Sequence, residues 1–166
     1  GTPRRVLYLD GEMGEGAIQE RQDQISPGRV GDNFGLGYLR YVTFEHCPNQ
    51  IMLNLGEPDD QALVSDGLRG FDVLIVDNLA TCVRQRAKET EVDCWERLKL
   101  WTIRERSNGK AIIFIHHAGK SGQQRGTSVR EDILDWVMSL RRPASLEATA
   151  GCSVEISWEK NRRFYG

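Results

Sequence analysis

Three short apolar runs constrain this chain more than anything else in it. Val6 to Asp10 reads V-L-Y-L-D, Val73 to Asp77 reads V-L-I-V-D, and Ala111 to Ile115 reads A-I-I-F-I. Each is continuous rather than alternating and draws on β-branched residues. Strands of that kind are buried on both faces, the condition of a parallel sheet covered by helices. Leu39 to Phe44 (L-R-Y-V-T-F) alternates more and predicts a further strand. Between the runs, Glu15 to Ile25 predicts a helix broken by Ser26-Pro27-Gly28, and Asp60 to Leu68 another closed by Gly70. Glu91 to Ser107 predicts the longest helix, with Val92, Trp95, Leu98 and Trp101 at three-residue steps and Gly109 beyond its end. Ile133 to Leu140 and Val154 to Trp158 predict two more strands. The alternation predicts one α/β domain over residues 1–166, with a mostly parallel central sheet flanked by helices.

Composition narrows the function classes. With 22 basic and 24 acidic residues the formal charge is −2, which excludes a strongly basic nucleic-acid wrapper but leaves room for a local patch. No apolar run approaches the roughly 20 residues that cross a bilayer, and no leader pattern opens the sequence. The expectation is a cytoplasmic protein with no membrane partner. Cys47, Cys82, Cys94 and Cys152 stand far apart without a C-x-x-C pair, so buried free thiols are expected rather than a zinc site or disulfide framework.

In sheets of this kind the ligand lies beyond the carboxyl ends of the strands. Here those ends are polar: Asp10-Gly11-Glu12 after the first run, Asp77-Asn78 after the third strand, His116-His117 after the fourth. Asp77 suits either a turn cap or a Mg²⁺ ion beside nucleotide phosphates. Glu12 suits either a helix N-terminus or a water attacking a phosphoryl group. His116 and His117 point to opposite faces if the strand continues, so one is expected in the site and the other in the structure. Residues 118–130 (A-G-K-S-G-Q-Q-R-G-T-S-V-R) form a glycine-rich basic loop, whose Lys120, Arg125 and Arg130 suit phosphates of a nucleotide or nucleic acid, or plain solvent. Gly119-Lys120-Ser121 only imitates a phosphate loop, because Phe114 stands where its opening glycine belongs. Lys160, Arg162 and Arg163 follow the last strand and suit a phosphate site or a solvated terminus.

Taken in order, Y-L-D-G-E-M, V-L-I-V-D-N-L, I-F-I-H-H-A-G-K-S-G-x-x-R-G-T-S-x-R-E-D and I-S-W-E-K-N-R resemble the ATPase core of RecA-like proteins. Within them the chain is most similar to the RepA-like replicative helicase ATPases of plasmids and phages, relatives of the DnaB helicases. The resemblance implies a RecA-like fold, Mg²⁺ and ATP as cofactors, and ATP hydrolysis coupled to DNA replication or unwinding. It implies that Asp77 is the Walker B aspartate supporting Mg²⁺ and Glu12 the catalytic glutamate. It makes His117 or His116 the histidine coupling the γ-phosphate to the next loop. Arg125 and its loop would touch single-stranded DNA, and Lys160 with Arg162 would be the K-x-R pair offered to a neighbour's nucleotide.

One departure is large. The family's G-x-x-x-x-G-K-[S/T] loop is absent from these 166 residues. The expectation is therefore an N-terminally truncated core, missing the first strand, the loop and the following helix, with weak or no hydrolysis. Open sheet edges and faces would then favour self-association as a dimer or ring. A second expectation is a binding module without catalysis, using the sheet surface for its own kind and the Lys120–Arg130 loop for DNA or a protein.

Overall fold

The apolar runs pair with one another in the computed structural model, which describes residues 1–25, 37–85, 90–117, 132–143 and 153–162. Two compact units result, residues 1–124 and 125–166.

In the first unit, β1 (Val6–Asp10), β2 (Leu39–Val42), β3 (Val73–Asp77) and β4 (Ala111–Phe114) form a parallel sheet in the order β2-β1-β3-β4. Register aligns the strand tips: Asp10 lies opposite Asp77, and Val76 opposite Phe114. Period-2 alternation then divides the side chains between two faces. Leu7, Leu9, Leu74 and Val76 point one way and are at most 2% exposed. Val6, Tyr8, Val73 and Ile75 point the other way and are half-buried.

Helices α2 (Pro58–Gly67) and α4 (Glu91–Ser107) make the covered face. Gly67 comes within 3.9 Å of the Leu7 side chain, measured from an ideal Cβ. Proline at the first turn and the acids Asp59 and Asp60 suit an N-terminus, where the proline needs no N–H and the dipole favours negative charge. Helix α4 opens on a reciprocal cap: Thr90 Oγ1 accepts the Asp93 N–H, and the Asp93 carboxylate accepts the Thr90 N–H. It ends before Gly109, whose φ of +81° suits glycine. Between the two helices Trp101 Nε1 donates to Ser65 Oγ at 2.9 Å, and Ser65 Oγ donates to Glu105 Oε1 at 2.8 Å. The indole is thereby buried with its one donor satisfied.

The three-residue stripe in α4 turns out to wind. Trp95, Leu98 and Trp101 are buried, whereas Val92 is exposed. Each step of three falls about 60° short of a full turn, so nine residues carry the stripe to the opposite side of the helix.

Helix α1 (Glu15–Ile25) follows β1 and buries Ile18. Two details depart from expectation. Strand β2 stops at Val42, because buried Thr43 turns the chain into a single 3₁₀ turn with its hydroxyl 2.9 Å from His46 Nδ1. A short helix α3 (Leu79–Cys82) follows β3 directly. Cys47, Cys82 and Cys94 are buried free thiols, and burial pushes Cys82 up to about 12. Cys152 lies outside the described residues.

In the second unit, the last two strands pair with each other. β5 (Trp136–Arg141) and β6 (Glu155–Asn161) form an antiparallel ribbon, with a register shift between Val137 and Met138. Ile133 belongs to the turn before β5 and is buried there. Among the described residues, no helix is long and apolar enough to cross a membrane.

Candidate active site at the strand tips

Where β1 ends, Asp10 is nearly fully buried, and its Oδ1 accepts the N–H groups of Glu12 at 2.9 Å and Met13 at 2.7 Å. A carboxylate used this way forms a tight turn, and the turn sets the direction in which Glu12 leaves the strand. Gly11 donates its N–H to the Asp77 carbonyl at 2.6 Å, tying the two tips together. An ideal Cβ on Gly11 would stand 2.9 Å from the Thr81 side chain, so no side chain fits between β1 and α3.

Beyond β3, the Asp77–Asn78 peptide bond is cis, and Asn78 is nearly fully buried. Its Oδ1 accepts the Thr81 N–H at 3.0 Å and caps α3. Its Nδ2 donates to Glu12 Oε1. From the end of β4, His117 Nε2 lies 3.1 Å from Glu12 Oε1 and 3.3 Å from Oε2. A carboxylate only accepts, so a hydrogen bond here requires the proton on Nε2. The Glu12 carboxylate is thus held by groups from β3 and β4, while part of it stays open to solvent.

Asp77 has a separate partner. Tyr8 Oη donates to Asp77 Oδ2 at 2.5 Å, and the Tyr8 ring lies against Tyr41 at 5.1 Å. Burial, and after it the hydrogen bond to Asp77, pushes the Tyr8 hydroxyl well above the ordinary tyrosine range.

Of the residues singled out in the sequence, Glu12, Asn78 and His117 meet in one contact, with Asp77 at the adjoining tip. His116 does not join them in any hydrogen bond: its Nδ1 is buried with no partner among the described residues. Lys160 sits on β6 opposite Val137. Arg162 donates from Nη2 to the Asp132 carbonyl at 2.6 Å and from its backbone to the Asp135 carbonyl at 2.9 Å. Both therefore have roles within the ribbon. Lys120, Arg125, Arg130 and Arg163 lie outside the described residues. Tyr8 and the turn-forming use of Asp10 escaped sequence reasoning. Period-2 alternation already places Tyr8 and Asp10 on one face, but only the β1–β3 register shows that Tyr8 reaches Asp77.

No protein-family model matches the chain, and no curated protein matches it by sequence. Solved structures do. The ATPase domain of a DnaB-like helicase matches 96% of this chain and 68% of its own, with a TM-score of 0.60 and 12% sequence identity. At that identity the likeness concerns the fold. Together with the parallel four-stranded sheet, it gives the chain the fold of a RecA-like ATPase core.

Proposed function

We propose that the strand tips form the water-activating half of an ATP-hydrolysing site of the RepA-like type. The observation that carries this reading is the Glu12 carboxylate, oriented by the Asp10 turn and held by Asn78 and His117. A carboxylate so placed can accept a proton from an attacking water, and its held geometry lowers the reorganisation needed at that moment. Asn78 keeps one oxygen in place. His117 is the positioning residue that links Glu12 to the chain beyond β4.

Among the described residues there is no group of three or more histidine, cysteine or acidic side chains suited to a metal. That donor set is wrong for zinc but fits Mg²⁺, which takes one or two carboxylates and fills the rest with water and phosphate oxygens. Asp77 would hold it, and Mg²⁺ would supply neutralisation of the phosphate charge. Tyr8 fixes the Asp77 carboxylate by donating to one of its oxygens.

The sequence has no glycine-rich phosphate loop, and phosphoryl transfer depends on such preorganised donors. Hydrolysis by this chain is therefore slow and Mg²⁺-dependent. Lys120, Arg125 and Arg130 are proposed contacts to single-stranded DNA, and Lys160 with Arg162 to a neighbour's nucleotide. Single-turnover hydrolysis of millimolar ATP tests the site. Glu12→Gln should reduce the rate to the uncatalysed background, and Glu45→Gln should leave it unchanged. A rate indifferent to Glu12→Gln contradicts the proposal, and no hydrolysis by the parent chain favours a binding module without catalysis.

A further inference from the structure

The β5–β6 ribbon has one face that nothing on the nucleotide reading uses. Trp136, Met138 and Leu140 alternate along β5, and Ile156 and Trp158 along β6. Met138 lies opposite Trp158 and Leu140 opposite Ile156, while Trp136 meets Trp158 edge to face at 6.3 Å. All five therefore share one side, and each is between 39% and 60% exposed. Val137, on the other side, is buried. This is the reverse of a soluble ribbon's usual pattern, in which the apolar side is covered. A two-stranded ribbon is also marginal by itself in water.

We infer that this face is a docking surface for the same face of a second copy, forming a two-fold pair. Size is the first argument. Those exposed fractions leave on the order of 600 Å² of apolar surface on side chains of this kind. A stable pair buries about 800 Å² from each partner, a total that Val154, itself 50% exposed, and the polar rim bring within reach. Charge is the second. The described residues of this unit carry four acids and four bases, so two copies do not repel each other. That neutrality disfavours a nucleic acid, whose bases would stack on the tryptophans but whose phosphates need a basic surround. A flat face with a two-fold partner is self-complementary, and closure at two copies leaves no sticky face exposed.

Light scattering of the whole chain over a dilution series tests this. The chain should run at twice its mass and dissociate on dilution. Trp158→Lys and Leu140→Lys should each weaken the pair at least about tenfold. Leu100→Lys, at a 65% exposed site on α4, should leave it unchanged. Circular dichroism of each variant separates lost pairing from lost folding. Acrylamide quenching gives a second readout, because Trp95 and Trp101 are buried and the accessible signal belongs to Trp136 and Trp158. That accessible fraction should shrink as concentration rises. A monomer up to about 100 µM overturns the inference. So does a pair indifferent to both ribbon variants, or an oligo-dT strand that shields the tryptophans of a monomeric chain.

Discussion

The two units handle their apolar residues in opposite ways. In the four-stranded unit, Leu7, Leu9, Leu74 and Val76 vanish under α2 and α4, and what reaches solvent at the tips is polar. In the ribbon, the tryptophans, Met138, Leu140 and Ile156 stand open. The first unit holds a core of its own and can position a reactive carboxylate. The second has too few strands to bury its own apolar side, so its stability is tied to what covers it. Rigidity for chemistry and adhesiveness for assembly are thus separated along the chain.

The largest effect should come from the buried face. Leu74→Ala removes a fully buried side chain and should cost about 3 kcal/mol in urea unfolding. A loss below about 1 kcal/mol would mean this face is not the core, and the contrast between the units would fail. Gly11→Ala sharpens the comparison at the tip. Its added methyl meets Thr81 at 2.9 Å, and about 1–3 kcal/mol of destabilisation is expected.

Asn78 separates stability from chemistry. Asn78→Ala loses the α3 cap and the donor to Glu12, at about 1–2 kcal/mol by thermal unfolding. Asn78→Asp keeps a capping oxygen but sets a second carboxylate beside Glu12. It should unfold nearly as the parent does while losing most hydrolysis; equal hydrolysis in the two would remove Asn78 from the site.

The smallest effect is at alkaline pH. Because the folded Tyr8 hydroxyl holds its proton above the ordinary value of 10.0, its contribution to stability is complete below that pH and is lost as pH rises past it. Absorbance at 295 nm should show one late-ionising tyrosine, absent in Tyr8→Phe. Simultaneous ionisation of all tyrosines would remove the Tyr8–Asp77 bond from the picture.

The parallel sheet was legible because V-L-Y-L-D, V-L-I-V-D and A-I-I-F are too apolar for any half-exposed strand. The polar tips were legible for the same reason, since each run stops abruptly on an acid or a histidine. Their contacts were not. Glu12 and Asn78 are 66 positions apart, and only the placement of β1 beside β3 brings them together. Helix α3 has a single turn, too short for any periodicity to announce. The ribbon's open face escaped because strands of mixed apolar character do not reveal which neighbour covers them. That Ile133–Leu140 and Val154–Trp158 pair with each other, and not with the parallel sheet, depends on partners that alternation alone does not name.

The central claim, an assembled water-activating site without a phosphate cradle, is tested most directly by titrating the chain with ATP and Mg²⁺ in a calorimeter. Binding no tighter than about 1 mM is expected, near the bottom of the affinity scale for a ligand of this size. A micromolar dissociation constant would contradict it, because residues of this chain or of a second copy would then be supplying the cradle.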